Sequence, residues 1–348
     1  MSDLPERTNG RDKKSWGKWP ALAGLGVGGF LLWRHGERWL RHSLIYLSHA
    51  NWARDTFSTL PIAWSVASRF VAGETAAAAM SAAKTLNEQG MSVTLDYLGE
   101  SVSDLAQARA ARDEIARLLD AIAAAGVNAN VSIKLSQLGV KIDEQLAEDN
   151  LRYLLARAQQ HQNRIRIDME DSPWVDTTLR IYRSLRDEAG FGNTGVVIQA
   201  YLYRSEADIA QLIAEGAWVR LCKGAYAEPA AVAFPKKADT DANFVRLMQM
   251  LLSEEARQKG VYAGIATHDD KMINATIAYA QAHNIPPNAF EFQMLYGIRR
   301  ERQIDLVRQG YQMRIYVPYG KAWYPYFVRR LAERPANLWF FVSNFVRR

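Results

Sequence analysis

From residue 91 onward the chain alternates short β-prone runs with longer stretches of helical periodicity, and that alternation leaves few architectures open. Eight runs read as strands: Ser92 to Leu98, Asn130 to Leu135, Arg164 to Met169, Gly195 to Ala200, Trp218 to Cys222, Tyr262 to Ala266, Phe290 to Met294 and Met313 to Val317. Strands joined through helices run parallel, and eight such units close a (β/α)8, TIM-like barrel of the α/β class. The helices carry matching punctuation. Ser101 to Asp104 and Ser205 to Asp208 fit capping boxes, and Gly126, Gly260 and Gly310 stand where helices should end. Leu105, Ala108, Ile115, Leu118, Leu119 and Ile122 form one apolar helix face, expected to cover the sheet.

A barrel of this kind needs only ~250 residues as one domain, so a chain of 348 carries additions. The expected organisation is an extension over residues 1–45, polar and then briefly apolar, followed by a barrel with N-terminal helices over 46–348. A last helix is expected to lie over the barrel mouth. Pro20 to Trp33 is apolar over 14 residues, too short for the ~20 that a spanning helix requires. Trp16, Trp19, Trp33 and Trp39, with Arg34, Arg38 and Arg41, suit a helix lying at the headgroup level of an anionic membrane. A helix packed on the barrel, or a disordered extension, fits the same residues.

Charge and cysteine content narrow the function. The 43 Lys and Arg exceed the 37 Asp and Glu by six, spread without long basic blocks, so nucleic acid is not called for. Cys222 is the one cysteine, which excludes an intrachain disulfide and a thiolate zinc site and is consistent with a cytoplasmic, reducing setting. Within the run Trp218 to Cys222 it reads as a small buried hydrophobe rather than a reactive thiol.

Most strands run apolar and then end in groups suited to chemistry: Asp96, Lys134, Asp168, Gln199, Lys223, His268, Gln293 and Tyr316. In (β/α)8 enzymes the site lies at that carboxyl-terminal rim. Burying Lys134, Asp168 and Lys223 unpaired costs several kcal/mol each, so a shared polar pocket is expected. His268 has only Asp269 and Asp270 beside it, a poor metal set, and no metal is expected. Lysines at strand ends also suit a Schiff-base aldolase, which stays open at this point.

The motifs Ser132-Ile133-Lys134-Leu135-Ser136, Ile167 to Asp171, Arg220 to Tyr226, Ala266 to Asp269, Glu291 to Gly297, Arg314 to Gly320 and Tyr326 to Asn337 resemble the proline dehydrogenase family. The likeness covers about Arg69 to Phe340 and is nearest to the short, monofunctional bacterial members. Several ordered motifs at consistent strand positions are far more specific than one isolated loop. The resemblance implies a non-covalent FAD at the rim, held by Gln199, Arg220, Lys223, Gly224, Ala225, Tyr226, Thr267 and His268, with Met169, Lys237, Thr240 and Gln293. A lysine beside a glycine that permits close backbone approach suits a pyrophosphate, and Arg220 near the flavin N1 and N5 stabilises electron density on reduction.

For the substrate, the resemblance implies L-proline, with Arg329 and Arg330 clamping its carboxylate, Glu333 near its amine, and Tyr316 and Leu295 against its ring. Lys134 and Asp168 complete that pocket, with Asp168 and Arg220 as the catalytic pair. The implied reaction is hydride transfer from proline C5 to flavin N5, giving (S)-1-pyrroline-5-carboxylate, with electrons passing to a membrane quinone. That acceptor makes a peripheral position on the inner membrane face consistent. Tyr316 holds the position associated with preference for proline over hydroxyproline. A dehydrogenase for hydroxyproline or another cyclic amine, and a barrel that has lost catalysis and serves as a binding protein, are the remaining readings. Two departures from the family pattern stand out: Cys222 where a β-branched residue is usual, and the charged pair Arg299-Arg300.

Overall fold

The computed structural model describes residues 61–99 and 102–333. Two helices lead into the barrel, α1 (Pro61–Ala67) and α2 (Ala76–Glu88). The barrel then runs β1 (Ser92–Tyr97), α3 (Leu105–Ala125), β2 (Ala129–Ile133), α4 (Glu144–Gln160), β3 (Ile165–Ile167), α5 (Val175–Arg183), β4 (Thr194–Gln199) and α6 (Ser205–Ala214). It continues through β5 (Trp218–Cys222), α7 (Lys237–Leu251), α8 (Glu254–Gln258), β6 (Tyr262–Ala266), α9 (Asp270–Ala282), β7 (Phe290–Leu295), α10 (Arg300–Arg308) and β8 (Gln312–Tyr319), and α11 (Trp323–Glu333) follows. The eight strands form a closed parallel barrel in sequence order, sealed where Ser92 to Tyr97 pairs with Arg314 to Tyr319. All eight expected strands are present, two with the expected bounds and the rest shifted by one or two residues at one or both ends.

Contacts divide the chain into two compact units, Asp55–Phe327 and Met1–Arg54 with Val328–Arg348. The barrel lies in the first. The expected extension over 1–45, with its membrane-surface tryptophans and arginines, lies outside the described residues.

Strand periodicity sorts the barrel's side chains into two sets. Val93, Leu95, Val131, Ile133, Ile165, Ile167, Val196, Val219, Leu221, Ile265, Phe292, Ile315 and Val317 are buried in the same core as helix residues such as Ile115, Leu119, Leu151 and Leu154. This is the layer between sheet and helices, where each large side chain contributes ~1.5–3 kcal/mol of burial. The alternate positions carry Asp96, Ser132, Asp168, Arg220, Gln293 and Tyr316. These bond between strands that are not neighbours in the sheet, as Arg220 on β5 does to Ser132 on β2. Such bonds can only cross the barrel interior, so the interior of this barrel is polar.

Local signals explain the helix ends. Asp104 caps α3 by accepting from the Gln107 amide at 2.8 Å, and Gly126 closes it at φ 61°; the Ser101 end of that expected capping box lies outside the described residues. The capping box expected at Ser205 to Asp208 does not form. Ser205 is already the first residue of α6, its Oγ donates to the Leu202 carbonyl at 2.7 Å, and Asp208 is engaged one turn back by Arg204 at 2.8 Å. The tight turn before α6 takes the serine hydroxyl, and Arg204 takes the carboxylate that the box requires. Gly260 and Gly310 follow α8 and α10 at φ 83° and 89°, as expected of helix stops.

Candidate active site

Asp168 follows β3 and is the hub of the interior. Its Oδ1 accepts from Arg220 Nη1 at 2.7 Å and its Oδ2 from the Tyr316 hydroxyl at 2.7 Å. Lys134 Nζ lies 3.9 Å from Asp168 Oδ2 and 3.2 Å from Asp96 Oδ2. The Arg220 guanidinium also sits 5.2 Å from the centre of the Tyr316 ring. Asp96, Lys134, Asp168 and Tyr316, expected from sequence as strand-end groups, therefore form one connected cluster with Arg220, which the family resemblance singled out. Burial pushes the Tyr316 phenol well above its ordinary range, and the Asp168 and Asp96 carboxylates push the same way against the opposing pull of Arg220. Tyr316 consequently stays protonated and donates to Asp168.

Arg220 is fixed from below. Its Nε donates to Gln293 Oε1 at 2.5 Å and its Nη2 to Ser132 Oγ at 3.2 Å. Gln293 in turn donates from Nε2 to Glu291 Oε1 at 2.5 Å, and Arg314 Nε donates to the same oxygen at 2.8 Å. A Cβ on Gly264 would stand 2.4 Å from Gln293 Nε2, so the bare backbone of β6 makes room for that amide.

A second polar group sits at the ends of β5 and β6. Lys223 Nζ donates to Asp241 Oδ1 at 2.5 Å and to Asp269 Oδ2 at 2.7 Å, and Lys237 Nζ reaches the same two residues at 2.5 and 3.3 Å. Burial works to raise the Asp269 carboxyl, yet the lysines and the Lys271 amide outweigh it and hold it at about 2. Thr240, beside Asp241 on α7, is buried, and Thr267 Oγ1 accepts from the Asp269 amide at 3.1 Å. Gly224 follows Lys223 at φ 116°, and a Cβ there would stand 2.5 Å from the Tyr201 ring. Ala225 and Tyr226 beyond it are exposed.

The remaining expected residues are placed as follows. Met169 is buried against the core, and Gln199 donates to the Glu170 carbonyl at 2.8 Å. His268 Nε2 accepts from the Leu295 amide at 2.9 Å, which puts its proton on Nδ1 and ties the substrate-side residue Leu295 to the end of β6. Arg299 explains one departure from the family pattern: at φ 56° it bonds the His268 carbonyl at 2.6 Å and Asp270 at 2.7 Å, bracing that loop. Cys222, the other departure, has its thiol pushed up to about 12 by burial, which makes it inert, as its apolar setting suggested. Arg329, Arg330 and Glu333 lie on α11 beyond Phe327, in the second compact unit, and the Glu333 side chain lies outside the described residues.

Asp241, Asp269, Ser132, Glu291 and Arg314 are site-supporting residues that strand-end reasoning does not single out. Period-two counting back from Gln293 and Tyr316 reaches Glu291 and Arg314. A cavity of about 500 Å³ opens at the opposite, amino-terminal end of the strands, lined by Asn130, Arg164, Trp218, Tyr262 and Arg314 among others. It contains none of Lys134, Asp168, Arg220 or Tyr316.

A family model described as proline dehydrogenase matches residues 79–343. Proline dehydrogenase 1 of Bacillus subtilis (strain 168) is 42% identical over 312 residues, spanning 89% of this chain and 100% of its own. Proline dehydrogenase of Deinococcus radiodurans is 43% identical over 287 residues, 82% of this chain and 91% of its own. Among solved structures, proline utilization A from Bdellovibrio bacteriovorus, inactivated by N-propargylglycine, superposes with a TM-score of 0.73 at 28% identity, over 78% of this chain and 33% of that one. The chain thus corresponds to about a third of that longer protein.

Proposed function

We propose, from the premise that this chain belongs to the proline dehydrogenase family, that it oxidises L-proline to (S)-1-pyrroline-5-carboxylate with FAD as cofactor and a quinone as electron acceptor. Membership makes it an oxidoreductase of proline catabolism, in a family that is flavin-dependent in general. The observation that carries the finer reading is the triangle of Asp168, Arg220 and Tyr316, each held by the other two in the barrel interior.

The residues present suit an FAD. Lys223 and Lys237 bring two ammonium groups, shared with Asp241 and Asp269, to the ends of β5 and β6, and Gly224 lacks the Cβ that would meet the Tyr201 ring. Those features suit a pyrophosphate approached closely by main chain. FAD supplies the two-electron acceptor for hydride leaving proline C5. Gln199, Met169, Thr240, Thr267, His268, Ala225, Tyr226 and Gln293 would complete its surroundings, and Arg220 would set a fixed positive charge beside its ring.

The chain's own groups then have separate tasks. The family resemblance assigns Arg329 and Arg330 to the substrate carboxylate, and Leu295 and Tyr316 would bound the ring. Lys134 holds the orientation of Asp168 from one side while Arg220 holds it from the other. Positioning of this kind supplies much of the rate by making the reacting geometry intramolecular. A Schiff-base aldolase is disfavoured because Lys134 and Lys223 are both engaged by carboxylates, which stabilises an ammonium, whereas that chemistry starts from a neutral amine.

The product carries a C=N bond that water opens to an aldehyde. Electrons leave for a quinone, and the tryptophans and arginines of residues 16–41 support a peripheral membrane contact that brings the two together. Among the described residues no helix is long and apolar enough to cross a membrane.

The test is anaerobic addition of L-proline to the purified yellow holoenzyme while absorbance is followed at about 450 nm, the oxidised-flavin band. Bleaching by proline is the expected result. A flavoprotein that ignores proline but is bleached by 4-hydroxyproline or another cyclic amine reassigns the substrate, and a protein that takes up no FAD removes the cofactor.

A further inference from the structure

We infer that Glu291 is a positioning residue for the reaction: by fixing which way the Gln293 amide faces, it sets the orientation of Arg220. This rests on the reading above that Arg220 lies against the reacting centre. A carboxamide side chain can present either its oxygen or its NH2 in one direction, and only the oxygen can accept from a guanidinium. Gln293 is buried, and its Oε1 lies 2.5 Å from Arg220 Nε. The flipped amide would set donor against donor at that distance.

What prevents the flip is the other end of the amide. Gln293 Nε2 lies 2.5 Å from Oε1 of Glu291, a carboxylate that can accept and cannot donate. Glu291 is itself only 2% exposed and is held by Arg314 Nε at 2.8 Å. The Tyr262 hydroxyl also reaches Glu291 from β6. Arg314 is anchored in turn by the Val93 carbonyl at 2.8 Å and by Asn130 Oδ1 at 2.9 Å, so the carboxylate is fixed from three strands. The chain of direction is thus Arg314 to Glu291 to Gln293 to Arg220 to Asp168, crossing the barrel from its floor to its rim.

Glu291 touches neither rim group, so a role as mere counter-ion of Arg314 has to be separated from positioning. Two variants do this. Glu291→Leu removes the acceptor that orders the amide. Glu291→Leu combined with Gln293→Glu moves the carboxylate two residues along β7 at unchanged net charge: Arg220 regains an acceptor with no wrong orientation, while Arg314 still lacks its partner.

The experiment takes each variant as FAD-loaded full chain, measures kcat and KM for L-proline with a dye acceptor, and determines the Arg220 side-chain position by crystallography. For Glu291→Leu the expected result is a kcat lowered tenfold or more, KM changed by less than about threefold, and the guanidinium turned away from Asp168. The double variant should return Arg220 to Asp168. An unmoved Arg220 in Glu291→Leu, or an Arg220 that stays turned away from Asp168 in the double variant, overturns the inference. If Glu291→Leu does not fold, the comparison passes to Glu291→Ala, expected to turn Arg220 in the same way, and to Gly264→Ala, whose Cβ displaces the Gln293 amide and is expected to lower kcat; an unmoved Arg220 in the first or an unchanged kcat in the second overturns it. Should wild-type flavin not respond to proline, the proposed reaction falls, and the Arg220 position in these variants still decides the positioning role.

Discussion

Tyr316 donates its hydroxyl to Asp168, and in the proposed reading the same hydroxyl would crowd a substituent on the substrate ring. Tyr316→Phe leaves the half-buried Asp168 carboxylate short of one donor, a loss of ~1 kcal/mol. We expect kcat/KM for proline to fall by roughly tenfold or more while that for 4-hydroxyproline falls less or rises, measured side by side with one dye acceptor. Unchanged discrimination would remove Tyr316 from substrate choice. Arg329→Ala and Arg330→Ala are expected to weaken proline use by ~2–5 kcal/mol each if each desolvates against the substrate carboxylate, appearing chiefly in KM. Wild-type kinetics in both would refute the clamp. At this scale the sequence was legible wherever a group ends a strand: Lys134, Asp168 and Tyr316 were expected as strand-end groups and Arg220 through its motif, and the four are joined in one cluster. Glu291 and Arg314 escaped because they stand nearer the strand starts, where a packed apolar interior is the ordinary expectation. Asp241 and Asp269 escaped because carboxylates beside a presumed phosphate-binding lysine have no reason to be sought.

Elements bring Lys223, Lys237, Asp241 and Asp269 together: the two ends of β5 and β6 and the first turns of α7 and α9 converge there. Asp269 does double duty, capping α9 through the Lys271 amide and pairing with both lysines. Its carboxyl lies at about 2, below the ordinary 3.8. The folded chain therefore binds fewer protons at this site than the unfolded chain between those values, so the stabilisation is complete above about pH 4 and is lost as pH falls toward about 2. Asp269→Asn keeps an acceptor for the helix cap but removes the charge. Its thermal midpoint should be lower at neutral pH and should decline less steeply than wild type between about pH 4 and pH 2. Parallel curves would show that the pairing contributes nothing across that window. Element boundaries are harder to read at the turn before α6: alternation and glycine stops located the strands and three helix ends, while the expected cap at Ser205 failed because the Leu202 carbonyl takes its hydroxyl and Arg204 takes Asp208.

At the scale of the whole molecule, the barrel inverts the usual distribution of apolar side chains, with aliphatics outside under the helices and charges within. A polar interior contributes little to stability, because desolvating its charges offsets much of what their pairing returns. The helix-covered apolar layer has to carry the fold, and substitutions within the interior should register in chemistry before they register in thermal midpoint. Among the described residues no helix is long and apolar enough to cross a membrane, and the proposed transfer to a quinone calls for a contact at the membrane surface. Residues 16–41 supply four tryptophans and three arginines on a chain of net charge +6, a composition suited to an anionic interface. Full-length protein is therefore expected to co-sediment with vesicles containing anionic lipid, to do so less with neutral vesicles, and to release as salt screens the attraction. Replacing Trp16, Trp19, Trp33 and Trp39 by serine should lower binding and slow proline oxidation with a vesicle-borne quinone, while turnover with a soluble dye stays the same. Equal loss with both acceptors would place those tryptophans in the fold of the enzyme, and undiminished vesicle binding would remove them from the membrane contact.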